Sequence, residues 1–71
     1  MTTDVPIEFL ILDARTFADA VRTLTDNYLE HLDEMPPIKI SEDFHVREGH
    51  HRVAAAIRLG RTTIRAEVIE Q

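Results

Sequence analysis

Phe44-His45-Val46-Arg47-Glu48-Gly49-His50-His51-Arg52-Val53-Ala54-Ala55-Ala56-Ile57-Arg58-Leu59-Gly60 is the stretch whose reading decides the fold. Phe44 to Arg47 reads as a strand, and Val53 to Leu59 as an alanine-rich helix. Gly49 marks the turn between them, and Gly60 stops the helix at its C′ position. The second helix is therefore predicted over about His50 to Leu59. The first N–H groups of a helix have no intrahelical partner, and the macrodipole adds partial positive charge at that end. Such an end is a ready anion site. Cationic side chains are unfavourable in the first turn of an isolated helix. His50, His51 and Arg52 in that place therefore point to an external anion.

The rest of the chain is read outward from this unit. Ile38-Lys39-Ile40 and Phe44-His45-Val46 alternate around Ser41-Glu42-Asp43, which predicts a short hairpin. Ile64-Arg65-Ala66-Glu67-Val68 alternates cleanly and predicts a closing strand. On the amino side, Ile7 to Leu12 is apolar on both parities and predicts a strand buried on both faces. Thr16-Phe17-Ala18-Asp19 resembles a capping box. Phe17, Val21, Leu24, Tyr28, Leu32 and Met35 recur at spacings of three and four, which predicts one long amphipathic helix. Pro36-Pro37 ends it. The order is strand, helix, strand, strand, helix, strand. It defines a small α/β (α+β) fold with a mixed sheet and two helices, and residues 1–71 are expected to form a single domain.

Gly49-His50-His51-Arg52, followed by small residues, Leu59-Gly60 and a strand, resembles the phosphate-binding motif of the ParB/sulfiredoxin superfamily. The resemblance runs from about Pro36 to Val68, with Pro37-Ile38-Lys39-Ile40 matching the strand before the motif. It implies a ParB/sulfiredoxin-like fold whose motif holds nucleotide phosphates. The ligand is ATP in sulfiredoxin, CTP in ParB proteins and a nucleotide in related free-serine kinases. The departures narrow what carries over. Sulfiredoxin has its reactive cysteine where this chain has His50, and the chain has no cysteine, so sulfinic acid reduction by that route is excluded. ParB partition proteins continue into helix-turn-helix and dimerisation domains, which are not expected in a chain read to Gln71. The kinase relatives use an acidic base near their start, which makes Glu8 and Asp13 candidates.

Composition bounds the function. Seventy-one residues support one small core, and domains of this size often need a staple or a partner. Without cysteine there is no disulfide or thiolate metal site, which suits a reducing, cytoplasmic setting. No apolar run approaches the ~18 residues of a membrane span, and Met1-Thr2-Thr3-Asp4 lacks the basic start of a signal peptide. Met1 to Met35 holds eight acids against two arginines, net −6, whereas Pro36 to Gln71 holds five acids against six basic residues, net +1. An overall charge of −5 argues against direct DNA binding, which needs a basic face. A local anion pocket remains compatible with it.

Each candidate has two readings. Gly49 is a phosphate contact or a turn glycine, and Arg52 is an anion ligand or a surface arginine paired with Glu48. His51 contacts ligand or braces the loop, and His50 is a general acid/base or a solvated loop histidine. His45, Glu48, His50 and His51 lie close in sequence, but adjacent histidines rarely face one ion, so no metal site is expected. Asp19, Asp26, Glu30 and Asp33 form an acidic helix face, solvated or used to dock a basic partner. Leu10, Leu12 and Ile69 are read as an outer apolar face for a homodimer or protein partner.

Three functions follow. The first is a minimal ParB-like nucleotide- or phosphate-binding domain, with phosphoryl transfer or hydrolysis and Mg²⁺ as extensions. The second is a non-enzymatic interaction module, of the kind a phage or mobile element encodes, acting through its acidic face. The third is a DNA-associated ParB-like protein.

Overall fold

The computed structural model describes residues 2–69. Strand β1 (Thr2–Pro6) is followed by a 3-10 turn at Ile7–Phe9, then helices α1 (Ala14–Arg22) and α2 (Asp26–His31). A second 3-10 turn covers Leu32–Glu34. The hairpin of β2 (Ile38–Ile40) and β3 (Val46–Glu48), helix α3 (His50–Arg58) and strand β4 (Thr63–Val68) complete the chain. The sheet has four strands in the order β1-β4-β2-β3. β1 runs antiparallel to β4, β4 parallel to β2, and β2 antiparallel to β3. The sheet is therefore mixed, as the sequence order implied. Glu70 and Gln71, counted in the charge of the carboxy half, and Met1, read for a signal, lie outside the described residues.

Strand alternation separates two faces. Val5, Ile38, Ile40, Val46, Ile64 and Ala66 are buried beneath the helices. Asp4, Lys39, Arg65 and Arg47 face solvent. α3 contributes Val53, Ala54, Ala55 and Ala56, all nearly inaccessible. Alanine at these positions leaves space for the helix to approach β2 and β4.

Strand β2, α3 and β4 form where the sequence placed them, with β4 one residue longer at its start. The second hairpin strand starts two residues later than expected: Phe44 sits in the turn with φ 72°, His45 makes only a bridge to Ile11, and the strand is Val46–Glu48. Ser41 closes the hairpin turn: its N–H donates to His45 O at 2.9 Å, and Phe44 N–H donates to Ser41 O at 3.0 Å. At the other end of α3, Gly60 N–H donates to Ile57 O and Arg61 N–H to Ala56 O. This is the paired C-terminal closure that needs a left-handed residue, and Gly60 supplies it with φ 79°.

The amino half departs from expectation. Ile7–Leu12 is not a strand. The strand lies earlier, at Thr2–Pro6, and its pairing ends opposite Thr63. Pro6 has no N–H to extend the ladder, and the chain turns into the 3-10 segment. Only Ile11 keeps a bridge, its N–H donating to Phe44 O and its carbonyl accepting from Val46 N–H. Leu10 and Leu12 pack against the core in the same chain. They do not form the outer face read from sequence as a reason for dimerisation.

The long helix is broken as well. Thr23 Oγ1 donates to Asp19 O at 2.8 Å, a local bond that competes with helix propagation. Thr25 then takes an extended conformation at the start of α2. Because of the break, α1 turns Ala20 inward and leaves Val21 49 % exposed, although Val21 fitted the apolar stripe. The start of α1 differs too. The cap is Asp13, whose carboxylate accepts from Thr16 N–H at 2.9 Å and Thr16 Oγ1 at 2.6 Å. Thr16 is thus capped rather than capping.

Candidate functional site

Gly49 builds the site. It is the N-cap of α3 with φ 116°, a conformation that favours glycine. A Cβ built there would lie 2.5 Å from Ile38 Cγ2. Loop and β2 thus meet at a distance no side chain allows. The first helical bond is Val53 N–H to Gly49 O at 3.0 Å. Among the described residues, the N–H groups of His50, His51 and Arg52 have no backbone or side-chain acceptor. Three N–H donors thus stand at the positive end of a nine-residue helix.

The three motif side chains diverge, because successive helix positions are rotated by about 100°. His50 is 9 % exposed, and its Nε2 is buried without a partner among the described residues. Burial lowers its pKa, with the Asp13 carboxylate opposing the shift. His50 is therefore neither the solvated loop residue nor an open acid/base. His51 stacks on Tyr28, ring centroids 5.1 Å apart at 17°, and its Nε2 lies 2.8 Å from Thr23 Oγ1. The Thr23 hydroxyl hydrogen is already given to Asp19 O. Nε2–H of His51 must therefore donate to Thr23, and His51 braces α3 against the α1–α2 break. Arg52 turns the third way. One guanidinium nitrogen, Nη2, lies 3.2 Å from a Cβ built on Gly49, and its Nε is buried with no acceptor among the described residues. It does not pair with Glu48.

The other candidates are dispersed. Asp13 lies near enough to His50 for their charges to act on one another. Its capping bonds from Thr16 hold its pKa below the ordinary value, and a depressed carboxylate is a weak base. Glu8 is exposed on the first 3-10 turn. The acidic residues occupy three elements instead of one helix: Asp19 pairs with Arg22, Asp26 and Glu30 lie one turn apart on α2, and Asp33 binds Arg61. His45 Nδ1 lies 3.1 Å from Asp43. Among the described residues, no three His, Asp or Glu side chains converge as metal ligands.

Sequence reading missed a cleft beside Arg52, of about 200 Å³, into which Arg61 and Arg65 also open. The arginines come from α3, the following loop and β4, and no local spacing links them.

No protein-family model matches the sequence, and no curated protein matches it. Solved structures do. Sulfiredoxin from Arabidopsis thaliana superposes with a TM-score of 0.71 at 23% identity, covering 100% of this chain and 86% of that one. A pNOB8-like ParB-N domain superposes with a TM-score of 0.76 at 19% identity, again over 100% of this chain but 29% of its own. The C-terminally truncated chromosome-partitioning protein ParB from Caulobacter crescentus, complexed with CTP-gamma-S, gives a TM-score of 0.67 at 25% identity. This chain spans 45% of that ParB. The fold is ParB/sulfiredoxin-like, an α+β arrangement with a four-stranded mixed sheet.

Proposed function

We propose that this chain binds a nucleotide or another phosphate ligand at the amino end of α3. Its contacts are the N–H groups of His50, His51 and Arg52 together with the Arg52 guanidinium. The observation that carries the reading is the left-handed Gly49, which leaves three consecutive donors free beside an arginine. Arginine presents a fork of donors matched to phosphate oxygens. The likeness to a ParB structure complexed with CTP-gamma-S supports the nucleotide class. Mg²⁺ fits as a companion of the phosphates, since it commonly binds through substrate phosphates and one or two carboxylates. Asp13 is a carboxylate whose charge acts on His50 of the motif. Turnover is a weaker reading than binding, because His50 is enclosed and Asp13 is engaged as a cap.

A thermal-shift series with ATP, ADP, CTP, GTP and inorganic phosphate, with and without Mg²⁺, tests the proposal. A ligand at about ten times its Kd stabilises by about 1.4 kcal/mol, several degrees in Tm for a chain this small. Arg52→Ala should weaken binding by about ten- to hundredfold, while Arg58→Ala leaves it unchanged. Absence of stabilisation by every one of these ligands at millimolar concentration would sink the reading. The acidic-face interaction reading would then be tested by charge reversal at Asp26 and Glu30.

A further inference from the structure

The cleft beside Arg52 lies between α3, the 3-10 turn Leu32–Glu34 and the leading ends of β2 and β4. Its apolar wall is Leu32, Pro37, Ile38, Ala56 and Ile64. Its charged lining is Arg52, Arg61 and Arg65 against Asp4 and Asp33, net +1. Asp4 stands opposite Arg65 across the β1–β4 pair. Asp33 takes Arg61 bidentately, at 2.7 and 3.1 Å, and its charge also responds to Arg65. Arg52 is left with a buried Nε and no acceptor among the described residues. Arg52 itself lines the cleft, so an oxyanion held there would meet the accessible part of its guanidinium, a fork of donors suited to such an anion. The Asp33–Arg61 pair is exposed, with side chains 77 % and 41 % accessible, so it holds weakly and is easily exchanged.

We propose that this cleft binds a small organic anion, a carboxylate or phosphate on a compact apolar body, through Arg52, Arg61 and Arg65, and that Asp33 occupies Arg61 until the anion displaces it. The size excludes a drug-sized ligand, and the apolar wall favours a body over a bare ion. The inference shares only Arg52 with the phosphate reading at the helix end, and the two separate experimentally.

Phenyl phosphate and benzoate are titrated into the isotope-labelled chain and followed by amide chemical shifts, with inorganic phosphate as the anion lacking an apolar body. Phenyl phosphate and benzoate should shift Ile38, Ala56 and Ile64, and inorganic phosphate should bind this region more weakly. Asp33→Asn removes the internal competitor and should tighten binding by about tenfold, while Arg65→Gln should weaken it by about as much. Asp33 and Arg65 are exposed, and circular dichroism checks that both variants fold. Shifts confined to the amides of His50, His51 and Arg52 and indifferent to Asp33→Asn would overturn the cleft site and leave the phosphate reading standing. Shifts confined to the cleft would support the site and count against that reading. No shift in wild type or Asp33→Asn at about 10 mM, a concentration that would detect millimolar affinity, would overturn the proposal.

Discussion

The two ends of α3 each carry a glycine with positive φ, yet they differ in kind. At Gly60 a Cβ would meet nothing within 4 Å, so the glycine serves backbone geometry alone. At Gly49 a Cβ would run into Ile38, so backbone and packing both demand it. Gly60 ends a helix in solvent with its last carbonyls satisfied. Gly49 begins one with three donors unsatisfied, against the core of the sheet. Any helix start leaves its first N–H groups without intrahelical partners; what separates this one is that its glycine is fixed by packing on Ile38 as well as by backbone geometry.

Gly49→Ala should show the largest effect. Left-handed strain and overlap with Ile38 together cost about 3 kcal/mol or more, read as a collapse of the urea midpoint. A variant within about 0.5 kcal/mol of wild type, the range of an ordinary surface change, would remove the basis of the comparison.

Gly60→Ala should cost about 1–2 kcal/mol, the left-handed penalty alone, seen as a lower Tm with ligand affinity retained. A loss equal to that of Gly49→Ala would mean that packing on Ile38 is not what separates the two ends.

The third effect is a pH dependence confined to the amino end. Burial holds the His50 pKa below its ordinary value, so as pH falls the unfolded chain takes up the proton first. Stability should be intact above about pH 6.5 and decline below it. His50→Gln should remove that limb. The remaining decline belongs to Asp13, Asp33 and Asp43, whose pKa values are also lowered, that of Asp43 to about 2. It begins only near about pH 4. An unchanged profile between about pH 7 and 5 in the variant would contradict an enclosed, neutral His50.

Legibility follows the range of the causes. Strand β2, α3 and its C-terminal closure were readable because alternation and the two glycines act within a few residues, whereas Phe44, read as strand, is held in the turn by its N–H bond to Ser41 O. Ile7–Leu12 was misread because apolar residues on both parities signal burial without specifying strand. Pro6, one position earlier, ends the β1 ladder. The long helix was misread because a hydrophobic period passes unbroken through Thr23 and Thr25, whose hydroxyl chemistry and extended backbone break it.

By itself the sequence determined the mixed α+β order, the position of the glycine-opened helix and the concentration of histidine and arginine in its first turn, because all of these are local. The tertiary structure alone decided that His50 is enclosed, that His51 braces Thr23 and Tyr28, and that Arg52 joins Arg61 and Arg65 in a cleft. A helix sends adjacent side chains in directions about 100° apart. What each one meets depends on elements that come from distant parts of the chain.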